Sequence, residues 1–372
     1  MSAVRLPPSA APVWVNCPGS ARIAARIPDE STDRAEGIAA HWCAAEALRG
    51  RYPAIGSSAP NGINVTQKMI EGAALYHSVV LSKIGAGYAQ VETEIPMSYL
   101  DGQTGLPDVF GVGVDRFTLQ VVEYKYGHAF IDAFENWESI AHALGAFDWL
   151  VKSGVWAATA AQHIAAEIHV VQPRNYDASG PVRTWRVRLD QLRAHRNTLA
   201  CQAALAQQPT APVKTGPWCR KCDARHRCVA AQQAGYEIAE FAGTVAAHDL
   251  TPEQASFELR ALERAREQLK ARAEGLEIQL TAAARGGARL PCHELRRGSG
   301  REVWKEGMSG AAIAVAALHG KNIAKPIEAL TPAQAREKGV PPDAIADMIH
   351  RPPGEIKLAP ATTNDSRKIF GG

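Results

Sequence analysis

The spacing of apolar positions changes several times along the chain, and each change predicts a new element. Two early segments have helical spacing, "RAEGIAAHWCAAEALRG" and "TQKMIEGAALYHSVVLSKIG", and the first ends at Gly50, a residue type that often stops a helix. From about residue 91 to residue 125 the pattern becomes typical of short strands: "QVETEIP", "DVFGVGVD" and "FTLQVVEYKY". The pattern predicts a sheet that is entered from helices.

Helices and strands continue to alternate after residue 125. We expect a helix at "NWESIAHALGAFDWLVKSG", strands at "AEIHVVQPR" and "TWRVRLD", and a helix near "LDQLRAHRNTLACQAALAQ". Near the start, "NCPGSARIAARIP" predicts a turn and a short helix capped by Ser20. Residues 1–240 are therefore predicted to form one domain of mixed α and β structure (α/β, or mixed α+β).

The character of the sequence changes after about residue 240. "TPEQASFELRALERAREQLKARAEGLEIQLTAAARGG" begins with Thr and Pro, ends in glycine and is rich in charged helix formers, so it predicts a long exposed helix or a helical hairpin. A solvated structural helix is favoured over one that supports a partner or nucleic acid. We predict a helical segment at 241–288 and a small C-terminal region with a loose tail at 289–372.

Composition narrows the class of protein. The chain has 372 residues, 46% of them hydrophobic and 21% charged, which is ordinary globular usage and argues against wholesale disorder. A net charge of +3 permits nucleic-acid binding without demanding it. No apolar run approaches the roughly 20 residues that cross a bilayer, and the first residues lack a signal-peptide core. We expect a soluble, cytoplasmic protein.

The stretch "LQVVEYKYG" places charges on a face that its alternation predicts to be buried. Glu123 and Lys125 fall on the same side of the strand as Leu119 and Val121. A solvent-exposed edge strand would explain these charges without any function, and that alternative stays open.

A hairpin between "DVFGVGV" and "FTLQVVEYK" gives the charges a second explanation. If Asp115 and Arg116 form a two-residue turn, Asp108 lies opposite Glu123, with Cβ atoms roughly 4.5–5.5 Å apart, where like charges are destabilising. A divalent cation such as Mg²⁺ or Mn²⁺ between the carboxylates would remove that repulsion. Lys125 would then position or deprotonate an attacking water and screen a phosphate.

Three of the seven cysteines form a C-x2-C-x5-C group in "WCRKCDARHRC". Four-thiolate sites hold zinc or iron-sulfur clusters, and the spacing does not distinguish the two. Cys17, in a turn, is the best candidate for a fourth ligand. Cys43 and Cys201 are expected to be buried in alanine-rich helices, and Cys292 is a weaker alternative. The expected ligands are Cys17, Cys219, Cys222 and Cys228.

The acidic and lysine elements resemble those of a known superfamily. "GLPDV" followed by "VVEYKYG" resembles the G-x-x-D and (D/E)-x-K elements of the PD-(D/E)XK nucleases, and "EGIAAH" is similar to the G-x-x-x-H element of their RecB-like branch. The resemblance implies a restriction-endonuclease-like core, with a central mixed sheet flanked by helices. It implies Mg²⁺ or Mn²⁺ bound by His41, Asp108, Glu123 and the Tyr124 carbonyl, with Lys125 acting on the water.

One element departs from that pattern. RecB-like enzymes commonly have Q-x-x-x-Y on the helix after the (D/E)-x-K strand, whereas "ENWESIAHALGA" has Glu138 and His142 at that spacing. Both side chains share one helical face and are candidates for contact with DNA or the lysine. An ordinary amphipathic helix is the alternative.

The cysteine order resembles that of iron-sulfur nucleases related to AddB and to the CRISPR-adaptation nucleases. This resemblance implies a [4Fe-4S] cluster that ties the N-terminal part to the end of the nuclease domain, with zinc as the alternative. Basic residues in the cysteine segment are candidates for phosphate contacts or for offsetting thiolate charge: Arg220, Lys221, Arg225 and Arg227.

The order of all these motifs over residues 10–235 resembles a phage-associated family of RecB-like proteins. The expected function is a Mg²⁺- or Mn²⁺-dependent deoxyribonuclease, with exonuclease favoured over endonuclease action, in phage DNA processing or recombination in a bacterial host cell. Its substrate is expected to be DNA that is single-stranded or has free ends, and a recombination or helicase partner is left open. The alternative is a non-catalytic DNA-binding or assembly module.

Overall fold

The structure is a computed structural model that describes residues 4–23, 32–99, 101–175, 177, 179–242, 251–299, 302–305, 307–324 and 330–360. The described α-helices are α1 (Ala11–Trp14), α2 (Thr32–Leu48), α3 (Gln67–Lys83), α4 (Trp137–Lys152), α5 (Arg193–Ala206), α6 (Val229–Ala242), α7 (Pro252–Arg285), α8 (Ser309–Leu318), α9 (Pro332–Glu337) and α10 (Pro342–Ile345). Short 3-10 helices occur at Pro8–Ala10, Pro18–Arg22, Ala158–Gln162, Pro217–Lys221 and Ala346–Met348.

The described strands are β1 (Ile84–Val91), β2 (Ile95–Pro96), β3 (Thr104–Gly105), β4 (Val109–Gly113), β5 (Thr118–Tyr124), β6 (Ala165–Val171), β7 (Val182–Arg188), β8 (His293–Ser299), β9 (Val303–Trp304), β10 (Ile349–His350) and β11 (Pro353–Pro360). Five of them form the central sheet, in the order β1-β4-β5-β6-β7. Only the β5–β6 pair in this sheet is parallel, so the sheet is mixed. The predicted class, mixed α and β with a central mixed sheet flanked by helices, is confirmed.

Strand β5 lies at the centre of the sheet and is buried along its whole length. Leu119 and Val121 pack in a core cluster with Ile140 of α4, whereas Val122 packs in a second cluster with Met69 of α3. Helices therefore cover both faces of the strand, which explains its nearly continuous apolar sequence. The alternative of a solvent-exposed edge strand is wrong, because β5 has a neighbour on each side.

The predicted register of the hairpin is confirmed. Val109 pairs with Val122 and Val112 with Leu119, so the next position along β4 brings Asp108 beside Glu123. The strands end at Gly113 and Thr118, and the turn between them contains Arg116 in the left-handed region, with φ 64°. The Asp115 carboxylate accepts hydrogen bonds from the backbone N–H groups of Phe117 and Thr118, and these bonds stabilise a turn that lacks glycine.

By its internal contacts the chain forms two compact units, residues 1–275 and 276–372, with the division inside α7. The predicted boundaries after residues 240 and 288 remain predictions. Helix α7 is continuous, so the predicted exposed helix is observed rather than the hairpin. The second unit has a small core that includes Ala312, Ile323 and Ile345, and it contains the strand pairs β8–β11 and β9–β10.

Two predictions fall partly outside the described residues. The predicted tail includes 361–372, which the structure does not describe. The short helix predicted after a Ser20 cap would extend into residues 24–31, which are likewise outside. The described part of this segment forms a 3-10 helix at Pro18–Arg22 with Cys17 at its N-cap position, so the assignment of Ser20 as the cap is wrong. Within the described part of the chain, no helix combines the length and apolar character that a membrane span requires.

Candidate active site

The candidate site lies where β4 begins and β5 ends. Asp108 directly precedes β4, while Glu123 and Lys125 lie at the end of β5 and just beyond it. The backbone N–H of Tyr124 donates a 2.7 Å hydrogen bond to Asp108 Oδ2. Because this N–H is fixed by the strand, the bond holds the Asp108 carboxylate beside the end of β5.

Helix α2 brings His41 to this carboxylate. His41 Nδ1 lies 3.1 Å from Asp108 Oδ1. Burial lowers the pKa of His41, but the Asp108 carboxylate opposes this and the net effect raises the pKa. Burial raises the pKa of Asp108, yet His41, Lys125 and the Tyr124 amide together bring that pKa down to about 2. Asp108 is therefore an ionised carboxylate near neutral pH.

Lys125 is held between carboxylates. Its Nζ lies 3.0 Å from Glu138 Oε2 and 3.7 Å from Glu123 Oε2. Burial lowers the pKa of Lys125, but the carboxylates of Glu138, Glu123 and Asp108 raise it above its ordinary value. The side chain is therefore an ammonium ion, which favours an orienting and charge-stabilising role over that of a base.

The helix that follows the strand supplies two further contacts. The Asn136 side chain caps α4 by accepting a hydrogen bond from the Ser139 N–H, which puts Glu138 in the first turn of the helix. His142, one turn later on the same face, has its Nδ1 in hydrogen-bond contact with Glu123 Oε1. Glu123 is only 2% exposed. Both residues of the E-x-x-x-H element on α4 therefore contact site residues: Glu138 contacts Lys125, and His142 contacts Glu123.

The structure thus brings together the side chains of the predicted residues His41, Asp108, Glu123, Lys125, Glu138 and His142. Tyr124 contributes its backbone N–H, whereas its ring lies in the core near Tyr76, with centroids 5.1 Å apart. The Tyr124 hydroxyl is buried and has no hydrogen-bond partner among the described residues. The role assigned to the Tyr124 carbonyl remains a prediction.

Sequence reasoning missed Glu92. Its N–H donates to the Asp108 carbonyl at 3.0 Å, and it lines a pocket together with His41, Asp108 and Tyr124. Glu92 has a left-handed φ of 42°. The signal that could have found it is the pairing of Val91 with Val109, because the next position on each strand places Glu92 beside Asp108.

The donor atoms suit a hard or intermediate divalent cation. Imidazole nitrogen and carboxylate oxygen at His41, Asp108 and Glu123 are ligands that Mn²⁺ accepts, and carboxylate oxygens are those that Mg²⁺ prefers. Among the described residues, no three His, Cys, Asp or Glu side chains already converge as metal ligands. The Glu123 and Glu92 carboxylates and the Tyr124 carbonyl are the candidate oxygen donors that would complete a site beside the His41–Asp108 pair.

The cysteines form a second candidate site in the first unit. Cys17, Cys219 and Cys228 are buried, and Cys222 is partly buried. Burial raises the pKa of the Cys222 thiol, a hydrogen bond from the Ala224 backbone opposes this, and the charges of the other three cysteines add to it, so that the pKa is about 11. This mutual influence means that the four thiols are neighbours, although they too do not yet converge as metal ligands among the described residues.

Backbone amides near the cysteines fit a thiolate site. The N–H of Lys214 donates to Cys17 Sγ at 3.3 Å, and that of Gly216 donates to Cys219 Sγ at 3.4 Å. Gly19 allows the close crossing of the two chain segments: its N–H donates to the Pro212 carbonyl, and a Cβ would come within 2.8 Å of the Ala211 carbonyl. The sulfur donors and amides fit a metal or iron-sulfur group.

The remaining three cysteines do not belong to this group. Cys43 is buried in α2 as predicted, but Cys201 is exposed on α5, so its predicted burial is wrong. Its helix buries a narrow stripe that includes Leu199 and Ala203, and Cys201 faces away from it. Cys292 is exposed and belongs to the second unit.

Helix α7 packs on the cysteine segment through the basic residues. Arg220 pairs with Glu267 at 3.2 Å and with Glu274 at 3.6 Å. Arg225 Nη1 donates to the Arg220 carbonyl at 2.8 Å, and Arg272 donates to the His226 carbonyl at 2.6 Å. Arg220 and Arg225 therefore stabilise the segment, while Lys221 and Arg227 are exposed.

Fold and site together define a mixed α and β protein. A cluster of carboxylates, histidines and a lysine lies where strands β4 and β5 of its central sheet meet, at the start of β4 and the end of β5. The family model described as "Protein of unknown function (DUF2800)" matches residues 4–368, and the chain belongs to this family.

Two solved structures show weak similarity. The crystal structure of SSO0001 has 16% sequence identity, covers 62% of this chain and 88% of its own, and has a TM-score of 0.27. The alkaline exonuclease LHK-Exo from Laribacter hongkongensis has 14% identity, covers 54% of this chain and 87% of its own, and has a TM-score of 0.21. Similarities of this size carry no argument about activity.

Proposed function

We propose that this protein is a metal-dependent nuclease that hydrolyses DNA phosphodiester bonds. The observation that supports this most is the convergence of Asp108, Glu123 and Lys125 at the start of β4 and the end of β5. The two carboxylates lie beside each other in the hairpin, and His41 Nδ1 is 3.1 Å from Asp108 Oδ1. A carboxylate pair next to an ammonium group suits a divalent ion and the negative charge of a phosphoryl group.

In this proposal His41, Asp108 and Glu123 hold Mg²⁺ or Mn²⁺, together with the Tyr124 carbonyl. The bound ion supplies Lewis acidity and lowers the pKa of water. Lys125 donates hydrogen bonds from its ammonium group to the attacking water or to a phosphoryl oxygen, which stabilises charge that develops in the transition state. Glu138 orients Lys125, and His142 orients Glu123 through the contacts described above.

We further propose exonuclease action on DNA that is single-stranded or has free ends, in phage DNA processing or recombination within a bacterial host cell. A recombination or helicase protein is the kind of partner that such an activity uses. The support for these finer points is the motif order over residues 10–235.

The decisive experiment is a cleavage assay on single-stranded, duplex and flapped DNA with Mg²⁺ or Mn²⁺, and with chelator as the blank. We expect cleavage that requires the metal and is lost in Asp108→Ala and Glu123→Ala, with DNA binding retained because a negative charge near the phosphates is removed. DNA binding without metal-dependent cleavage on any substrate would support the non-catalytic module instead. The sequence feature that favours such a module is the presence of Glu138 and His142 where RecB-like enzymes commonly have glutamine and tyrosine.

For the cysteine site we propose a [4Fe-4S] cluster held by Cys17, Cys219, Cys222 and Cys228. Protein purified without oxygen should be brown, absorb near roughly 400 nm and contain about four irons per chain. Colourless protein that contains one zinc per chain would contradict the iron-sulfur cluster and support a zinc site instead.

Replacement of one cysteine ligand tests the cysteine set directly. Cys17→Ser should lose bound iron and unfold at a lower temperature, because ligand binding is coupled to folding and is worth on the order of 10 kcal/mol in structural zinc sites. Cys43→Ser is the matched control, since Cys43 is buried outside the group. Equal iron content and stability of the two variants would contradict the assignment of Cys17.

A further inference from the structure

The loop that joins β5 to α4 exposes two large aromatic side chains. Phe130 is 50% exposed and Phe134 is 58% exposed. The loop begins just after Lys125 and ends just before Glu138. The Lys125 Nζ and Glu138 Oε2 atoms are 3.0 Å apart. Both ends of the loop are thus anchored in the candidate site. We call Phe130 and Phe134 the aromatic rim.

Buried polar side chains fix the loop in place. Gln172, which is fully buried, donates from Nε2 to the carbonyls of Gly127 and Ala129, both at 2.7 Å. Its Oε1 accepts hydrogen bonds from the Ile131 N–H and from Arg183. The hydrogen-bonding capacity of a buried glutamine is thus used to hold a surface loop.

Neighbouring side chains complete this support. Arg183 Nε donates to the Ile131 carbonyl at 2.7 Å, and Asn175 Nδ2 donates to the His128 carbonyl at 3.0 Å. Both donors are largely buried. Holding a loop in one conformation reduces the entropy that a ligand must overcome on binding. The network therefore makes the two exposed rings a pre-organised surface.

Each ring of the rim is also supported from behind. The Arg183 guanidinium carbon lies 4.8 Å from the Phe130 ring centroid. The Phe134 ring makes an edge contact with Trp185, with centroids 5.4 Å apart at 65°. These contacts orient each ring and leave about half of it open to solvent.

The chemistry around the rim selects its ligand. Exposed polar residues interrupt the apolar surface of the loop: His128 precedes Phe130, and Asp132 lies between Phe130 and Phe134 in the sequence. The rim is therefore two rings and not the continuous apolar patch that a protein partner requires. A flat ring that stacks on one aromatic face suits this arrangement. Lys125, at the start of the loop, is the cation that suits the phosphates connecting such rings, whereas the Arg174 guanidinium is paired with Glu36 at 2.8 Å.

We propose that the aromatic rim stacks against unpaired bases of a single DNA strand that enters the candidate site. This inference rests on the proposed nuclease function and deepens it, because it assigns residues that select single-stranded over fully paired DNA. Bases in a duplex are already stacked on their neighbours, so the rim binds only where a strand is open. The contact is made to bases and adds no phosphate contact.

The test is equilibrium binding of a labelled single-stranded oligonucleotide, measured by fluorescence anisotropy. Two conditions prevent cleavage during the measurement: the Lys125→Ala protein in Mg²⁺, and the protein with Lys125 intact in chelator. Phe130→Ala and Phe134→Ala should each weaken binding roughly 5- to 100-fold. Phe134→Tyr should retain most of the affinity because it keeps the ring. Because each ring also packs against Arg183 or Trp185, thermal melting is measured for every variant, and Phe134→Tyr, which keeps the ring, separates loss of stacking from loss of packing.

Phe117→Ala is the matched control. Phe117 is 71% exposed and lies in the β4–β5 turn, at the opposite end of β5 from Glu123. It should bind the oligonucleotide like the unsubstituted protein. The slope of the logarithm of affinity against the logarithm of salt concentration should be the same in the rim variants, because no phosphate contact is lost.

Abasic positions in the oligonucleotide locate the contact. Removing the base that stacks on Phe134 should weaken binding to the protein with an intact rim but not to Phe134→Ala, so the two changes should not add. Equal losses for Phe117→Ala and the rim variants, a changed salt slope, or additive losses at every abasic position would each overturn the inference. Absence of any binding to single-stranded DNA would overturn it as well.

The outcomes separate this inference from the proposed function. Single-stranded DNA bound through the rim without cleavage would contradict the nuclease and leave the rim intact. Metal-dependent cleavage, with single-strand binding unchanged in the rim variants, would contradict the rim and leave the nuclease intact.

Discussion

Two groups of polar side chains lie on the central sheet, and they differ in charge balance. In the group away from the candidate site, Glu167 is paired with Arg186 at 2.7 Å and Lys83 at 3.5 Å, and it accepts a hydrogen bond from Gln120. One carboxylate there meets two cations. At the candidate site the carboxylates of Asp108, Glu123 and Glu138 share a single lysine and two histidines.

Under the proposed function, this difference separates a structural group from a catalytic one. A carboxylate that is neutralised by its neighbours, like Glu167, needs no further ligand. Buried or partly buried carboxylates in excess over fixed cations repel one another, and a fold usually tolerates this cost where another cation or a reaction uses it. The comparison therefore supports a divalent cation at Asp108 and Glu123 and none at Glu167.

The largest expected effect concerns Lys125. Lys125→Ala should lower the rate of metal-dependent cleavage on the order of 10²- to 10³-fold, because it removes a positive charge from the transition state. Glu167→Gln should leave the rate unchanged, since Glu167 lies in the balanced group. A single-turnover assay at matched salt measures both variants. Similar losses in the two would remove the functional distinction between the groups.

The balanced group should instead control stability at acid pH. Burial lowers the pKa of His169, Lys83 adds to this effect and Glu167 partly opposes it, so that the pKa is about 4. Arg186, which pairs with Glu167, is the other nearby charge. Because the folded-state pKa lies below the unfolded value, the unfolded chain binds more protons between about pH 6.5 and pH 4.

Stability should therefore fall as the pH falls through that window, with a contribution from His169 of about 3 kcal/mol. His169→Gln keeps a neutral side chain that can bond to Gln120 and Thr184, and it should remove this part of the pH dependence. Denaturant unfolding of both proteins at pH 7 and pH 4.5 gives the difference. An identical loss of stability in both would show that His169 is not the titrating group.

The smallest effect should come from Glu138. Glu138→Ala removes the 3.0 Å contact that orients Lys125 and should reduce cleavage by roughly 10- to 100-fold, as is typical for residues that position a catalytic group. Glu138→Gln keeps an oxygen acceptor and should lie closer to the unsubstituted rate, with KM for DNA unchanged or lower. A larger loss in Glu138→Gln than in Glu138→Ala would contradict the positioning role.

The sequence predicts those parts of the site that local pairing determines. The alternation in "DVFGVGV" and "FTLQVVEYK", joined by a short turn, was sufficient to place Asp108 beside Glu123. Helical spacing was sufficient to put Glu138 and His142 on one face. It gave contact with the lysine as one candidate role for them, but it did not predict that His142 contacts Glu123, because this depends on how α4 crosses the sheet.

Contacts between distant segments were harder to predict. Glu92 reaches Asp108 through the β1–β4 pairing, which contains an irregularity between Ile84 and Ala89 that shifts the register. The approach of Cys17 to the later cysteines depends on the crossing of Gly19 over Pro212, which spacing along the chain does not encode. Helix α6 was not predicted, since it directly follows the cysteine segment and has no separate start signal.

Calorimetric titration of Mn²⁺ into the metal-free protein tests the central claim most directly, namely that Asp108 and Glu123 share a divalent cation. We expect binding that Asp108→Asn and Glu123→Gln each weaken by more than about tenfold, which corresponds to roughly 1.4 kcal/mol. We expect unchanged binding in Glu167→Gln. Mn²⁺ binding that is equally strong in all four proteins, or absent from the unsubstituted protein, would contradict the account.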